Sequence, residues 1–178
     1  TAKLKAWLAR LSNDNAQREY YLTDVVAQAV AEGVRVAGVV ADDADEMLGV
    51  NSKAQLARIE RVAQSRAAAA AMEAGATLAD PARFDVRGEL AVGADVFIDV
   101  NCVFEGRVSL ADGVRIGPNC VLRDCSVGAG AEVAGFCDLD GATIGAEARI
   151  GPFARLRPTS RLADDVHIGN FVEVKNSQ

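Results

Sequence analysis

From Val92 onward an aliphatic or aromatic residue recurs every six positions. The series runs Val92, Ile98, Phe104, Leu110, Ile116 and Leu122, then takes a five-residue step to Val127. It continues through Val133 and Leu139, takes a second five-residue step to Ile144, and closes with Ile150, Leu156, Leu162, Ile168 and Val174. Two residues ahead of each member stands a second column: Leu90, Val96, Cys102, Val108, Val114, Cys120, Cys125, Ala131, Cys137, Ala142, Ala148, Ala154, Ser160, Val166 and Val172. Nearly all of these are small or β-branched. Residues two apart in a strand point the same way, so each unit is a short strand with two inward residues, followed by a turn. Three units make a triangular coil of about eighteen residues, and coils stack at roughly 4.8 Å, the spacing of paired strands. Fifteen units therefore give five coils of a parallel β-helix. No coil buries its inner face alone, so stacking supplies the stability. Gly93, Gly117, Gly128, Gly145, Gly151 and Gly169 directly follow the large residue, where a tight corner is expected to draw on glycine's conformational freedom.

The same pattern accounts for the cysteines. Cys102, Cys120, Cys125 and Cys137 all occupy the small inward column, and three of them (Cys102, Cys120, Cys137) fall on one face as a ladder. There is no CxxC or Cys/His spacing, so they read as small apolar residues in a reducing compartment. The single histidine, His167, precedes Ile168 and points outward. One histidine excludes a three-histidine metal site, and with it a carbonic anhydrase built on this repeat.

Outward residues just after the large column on one face are Glu105, Arg123, Asp140, Arg157 and Lys175. The first four alternate in sign, as cross-strand pairs should; then Arg157 meets Lys175. Like charges about 5 Å apart repel by roughly 1 kcal/mol in water, and an anion between them relieves this, phosphate suiting arginine well. Two other readings stand beside it: the long side chains splay apart, or Glu173 compensates.

Ahead of the repeat the chain changes character. Of 16 glycines, 12 lie after Phe84, whereas the one Trp and both Tyr precede residue 22, which divides the chain into 1–52, a linker helix over 53–80, and the β-helix over 81–178. Apolar spacing predicts a helix over 2–11. Thr23 or Asp24 can cap a second helix that stops at Gly33, and Val34–Val40 reads as a buried strand. A lone strand is not a sheet, so this portion reads as an incomplete βα-type domain. Asp42–Glu46 reads as a solvated turn or helix start rather than a metal site. Ser52-Lys53-Ala54-Gln55 has the form of a capping box opening an alanine-rich helix that suits a connecting rod. The net charge is −6 with no Lys/Arg run, which argues against nucleic-acid and membrane partners. With no bilayer-length apolar stretch and no secretory leader, a cytoplasmic protein is expected. The first residue is not Met, so a piece of a longer chain is expected.

Five segments together carry a resemblance: Asn15-Ala-Gln-Arg-Glu-Tyr-Tyr-Leu-Thr-Asp24, Gly49-Val-Asn51, Asp80-Pro-Ala-Arg-Phe-Asp-Val-Arg-Gly88, Ile150-Gly-Pro-Phe-Ala-Arg-Leu-Arg-Pro158 and His167-Ile-Gly-Asn-Phe-Val-Glu-Val-Lys175. Over essentially its whole length the chain resembles the bacterial bifunctional N-acetylglucosamine-1-phosphate uridyltransferases/glucosamine-1-phosphate acetyltransferases. The resemblance implies that residues 1–52 end a nucleotidyltransferase domain and that the β-helix is left-handed. It implies acetylation of glucosamine-1-phosphate with acetyl-CoA, then transfer of UMP from UTP, with Mg²⁺, to give UDP-N-acetylglucosamine for cell-envelope synthesis. It places Arg157 and Lys175 on the acceptor sugar phosphate, Asn51 on the metal and the UDP-sugar, and Tyr21 and Thr23 near the N-acetylglucosamine moiety. It also implies a homotrimer with clefts between neighbouring β-helices.

Parts of the family pattern are missing from these residues. They include no Gly-rich nucleotide loop and no Asp to partner Asn51, and the catalytic histidine is expected beyond Gln178, His167 belonging to an earlier motif. Ser52 stands where a second Asn is usual, and Thr159 where Gly is usual. The 178 residues alone are therefore expected to lack both activities. Two alternatives remain: a sugar-1-phosphate nucleotidyltransferase with a non-catalytic β-helix, as in ADP-glucose pyrophosphorylase-like proteins, and a trimerisation scaffold. Arg157, Lys175 and the Gly-Asn-Phe-Val-Glu run speak against the first.

Overall fold

The computed structural model describes residues 2–175, in two compact units, Thr1–Met47 and Leu48–Gln178. In the first unit α1 (Ala2–Leu8) and α2 (Asp24–Ala31) pack through Trp7, Val25 and Ala29, with Leu11 and Val34 at the margin. Arg10 and Glu32 pair at 2.5 Å. α2 stops as expected, with Gly33 at φ +70°. Its start differs: Thr23 is the N-cap but makes no side-chain capping bond.

The expected strand at Val34–Val40 does not form. The segment is irregular, with Val39 96% and Val40 90% exposed. A strand needs a neighbour for its amides and carbonyls, and no strand occurs among the described residues of this unit. The acidic run resolves as an exposed 3₁₀ turn, Ala44–Met47.

The second unit opens with α3 (Lys53–Glu73). Ser52 Oγ accepts from the Gln55 amide at 3.2 Å, and Gln55 Oε1 accepts from the Asn51 amide at 2.7 Å, so the capping box closes one residue early. This helix is more than a rod. Ala68 and Ala71 are buried in the same core as the β-helix, and Gln64 is only 4% exposed. The Gln64 side-chain amide bonds both sides of one peptide edge: Nε2 donates to the Val86 carbonyl at 2.9 Å, and Oε1 accepts from the Val86 amide at 2.7 Å. Short alanine side chains let the helix lie close over the first coil, and the glutamine satisfies strand groups that have no neighbour there.

The remaining strands are all parallel and form the three faces of a solenoid. The first face stacks β1 (Thr77–Leu78), β3 (Phe97–Ile98), β5 (Arg115–Ile116), β8 (Glu132–Val133), β11 (Arg149–Ile150) and β14 (His167–Ile168). The second stacks the first halves of β2 (Phe84–Val92) and β4 (Cys102–Leu110) with β6 (Val121–Arg123), β9 (Asp138–Asp140), β12 (Arg155–Leu156) and β15 (Glu173–Val174). The third stacks the second halves of β2 and β4 with β7 (Ser126–Val127), β10 (Thr143–Ile144) and β13 (Arg161–Leu162). Both inward columns form the core; from Val96 to Leu156 every member is at most 3% exposed.

The coils begin before Val92. Leu78 pairs with Ile98, and Val86 with Phe104. The step between Leu78 and Val86 is lengthened by a 3₁₀ turn at Pro81–Arg83, and Phe84 fills a position that is small in later coils.

The corners work differently from the expectation for glycine. Of the six glycines after the large column, only Gly151 has positive φ. What Gly117, Gly128 and Gly145 provide is absence of a Cβ, which would come within 2.4–2.7 Å of backbone in the next coil. The left-handed residues instead form columns of their own. One corner carries Asn101, Asn119, Phe136, Phe153 and Phe171, all at φ 56–61°. Its phenyl rings stack at 5.0 and 5.1 Å while remaining about half or more exposed.

Candidate cationic ladder on the second face

The outward side of the second face carries two columns of charge. The ion pairs run from Arg61 of α3 to Asp85, then Asp85–Arg87 at 3.8 Å, Arg87–Glu105 at 2.9 Å, Glu105–Arg123 at 2.7 Å and Arg123–Asp138 at 2.6 Å. Arg87, then Arg123, hold the Glu105 carboxyl below its ordinary pKa of 4.5. Its contribution is therefore present above that value and is lost as pH falls through the lowered one; each such exposed pair is worth little by itself. The register sets Arg123 opposite Asp140, but the ion pair goes to Asp138. Both carboxylates flank the inward Leu139 and face out, and the guanidinium spans Glu105 and Asp138.

Past Arg157 the alternation ends, as the sequence requires. Leu156 is in register with Val174, so Arg157 and Lys175 occupy equivalent outward positions in successive coils, and the Arg157 amide donates to the Val174 carbonyl at 3.0 Å. Glu173 does compensate in part: its Oε1 lies 3.5 Å from Arg157 and 4.0 Å from Arg155. Arg155 and Arg157 thus share the Glu173 carboxylate, and Lys175 follows Arg157 in the column where an acid would continue the alternation. Arg155 escaped the sequence reading, which followed only the column after the large residue; the strand period of two would have supplied it.

Thr159 closes the corner beside Arg157 at φ +72°. A β-branched residue is strained there. Thr159→Gly is expected to raise stability by about 1 kcal/mol, read as a higher thermal midpoint.

The other predicted site residues lie elsewhere. His167 is exposed on the first face, in register with Arg149, not with the cationic pair. Asn51 is exposed just before α3, whose 21 residues span about 30 Å before the first coil begins. Tyr21 and Thr23 belong to the first unit, in the turn into α2, where the Tyr21 hydroxyl donates to Gln17 Oε1 at 3.0 Å. Among the described residues no group of three or more His, Cys, Asp or Glu could hold a metal ion. A furrow of about 340 Å³ lies on the first face, over Gly117, Ala134 and Gly151 with Arg115, Glu132 and Arg149 alongside, away from Arg157.

The four cysteines are free and buried. Burial pushes the Cys102 thiol up to about 11 and also raises Cys125. Contact with Cys137 and then burial raise Cys120, and the same contact lowers Cys137. At 0–3% exposure none meets solvent. Among the described residues no helix is long and apolar enough to cross a membrane.

Residues 86–178 match the family described as the GMPPB C-terminal domain. The chain is 62% identical over 178 residues to the bifunctional protein GlmU of Ralstonia pickettii (strain 12J), covering 100% of this chain and 39% of that protein. It is 64% identical over 177 residues to the bifunctional protein GlmU of Methylibium petroleiphilum (strain ATCC BAA-1232 / LMG 22953 / PM1), covering 99% and 38%. It thus spans about two fifths of the length of these relatives. The acetyltransferase domain of PglB from Neisseria gonorrhoeae FA1090, solved with acetyl coenzyme A, superimposes with a TM-score of 0.55 at 22% identity, over 67% of this chain and 58% of that one. That likeness establishes the fold as a left-handed parallel β-helix. With the sequence match running from end to end and the repeat in register throughout, the chain belongs to the GlmU family, and its residues 86–178 to the GMPPB C-terminal domain family.

Proposed function

We propose that the β-helix acetylates the amine of glucosamine-1-phosphate with acetyl-CoA. In the whole protein the nucleotidyltransferase domain, to which residues 1–52 contribute, then couples the product to UTP with Mg²⁺, yielding UDP-N-acetylglucosamine. The observation carrying this reading is the cationic pair Arg157 and Lys175, at equivalent outward positions one coil apart, with Arg157 sharing the Glu173 carboxylate with Arg155. A sugar phosphate supplies the missing negative charge, and the guanidinium grips its oxygens in fork geometry. His167 stands on another face and is not proposed as the base. Asn51 would offer one amide oxygen to Mg²⁺, and Tyr21 and Thr23 would line the uridyltransferase sugar site. The linker and β-helix divide near residue 80. A cytoplasmic homotrimer completes the proposal, its clefts taking substrate between neighbouring β-helices.

Kinetics of the full-length protein test this. Arg157→Ala and Lys175→Ala are each expected to raise KM for glucosamine-1-phosphate by about tenfold or more, the scale of a lost charge-assisted hydrogen bond, while uridyl transfer stays unchanged. An unaltered KM in both variants sinks the phosphate reading. Uridyl transfer without any acetyl transfer turns it toward a nucleotidyltransferase whose β-helix does no chemistry.

A further inference from the structure

Among the inward residues of the small column, Ser160 alone carries a hydroxyl, and it is 0% exposed. A buried hydroxyl is costly unless bonded. Ser160 Oγ donates to the Arg157 carbonyl at 2.7 Å, and the Val174 carbonyl lies 3.5 Å away. The first of these carbonyls belongs to one member of the cationic pair, and the second belongs to the residue just before the other. The Ser160 amide also donates to the Arg157 carbonyl, at 3.2 Å.

The same arrangement recurs one ladder cation earlier. Cys125 Sγ lies 3.1 Å from the Arg123 carbonyl. The corresponding inward residues after the acidic rungs Glu105 and Asp140 are Val108 and Ala142, which have no side-chain donor. Arg87, in register with Glu105, is followed by the inward Leu90, which also lacks a donor, so Arg123 and Arg157 are the two rungs backed by one. Thr159, between Arg157 and Ser160, continues the left-handed corner column of Gly106, Asp124 and Gly141.

We propose that Ser160 is a positioning residue for the cationic pair. Its hydroxyl fixes the corner from which Arg157 projects, against the strand carrying Lys175, so that both cations close on one phosphate monoester. The inference rests on the reading of Arg157 and Lys175 as the acceptor's phosphate site.

The test is steady-state kinetics of the full-length protein with glucosamine-1-phosphate and acetyl-CoA, alongside thermal midpoints. Ser160→Ala is expected to raise KM for the sugar phosphate roughly threefold to tenfold, the range for one lost hydrogen bond. In the same variant kcat and the KM for acetyl-CoA should hold. Ser160→Cys, which keeps a donor of the Cys125 kind, should restore part of the loss. Alanine already fills the equivalent position at Ala142, so the fold accepts it. If Arg157→Ala raises the acceptor KM and Ser160→Ala does not, the positioning role is wrong and the phosphate site stands. If neither variant moves it, the site itself is wrong. A Ser160→Ala variant whose kcat and both KM values shift together with its midpoint would show a general structural role and overturn the proposal.

Discussion

Gly145→Ala is expected to destabilise the solenoid by about 3–5 kcal/mol, in the upper range for one substitution. A Cβ built there lies 2.4 Å from the Ala163 carbonyl carbon and 2.5 Å from the Asp164 amide nitrogen. Both are backbone atoms of the next coil, held by the Gly145–Leu162 and Ala146–Asp164 hydrogen bonds. No rotamer change relieves such a contact, so the two coils must separate locally. Gly49→Ala is the control for the added methyl itself. Its φ is ordinary, and nothing lies within 4 Å of the added carbon. Its effect should stay within about 0.5 kcal/mol. Denaturant unfolding of both variants checks the pair, and equal effects would show that close approach of coils is not what keeps Gly145.

Leu139→Ala should cost a similar amount for a different reason. Leu139 is 0% exposed and sits between Leu122 and Leu156 in the second-face ladder. Neighbouring rungs are fixed by strand pairing and cannot collapse into the space, so both the lost transfer energy and the cavity count. That places the cost at about 3–5 kcal/mol. Chemical denaturation reads it, and a cost under about 1 kcal/mol would contradict a core too rigid to collapse around the deleted side chain.

The solenoid was legible in the sequence because its signal is one-dimensional. Inward residues repeat at fixed intervals, and each interval is one strand and one corner. Leu78 and Val86 were missed because the Pro81–Arg83 turn stretches one interval and Phe84 breaks the size rule. The role of the corner glycines was misread for a different reason: contact between coils depends on residues about eighteen positions apart, and local glycine preference says nothing of it. At the candidate site, the spacing gave Arg157 and Lys175. It could not give Arg123's choice of Asp138, which depends on side-chain reach, nor the two carbonyls near the Ser160 hydroxyl. Val34–Val40 shows the opposite failure. Its valines have strand propensity, but propensity does not create a pairing partner.

The Gln64 amide bears on how long such a structure can grow. An uncovered parallel edge is a template for another strand, and strand upon strand without limit is the architecture of a fibril. At Val86 the next peptide group is replaced by a side chain that offers the same donor and acceptor but has no further edge behind it. Polymerisation through that peptide group is therefore blocked by a single amide, held in place by a helix that cannot be extended into a coil.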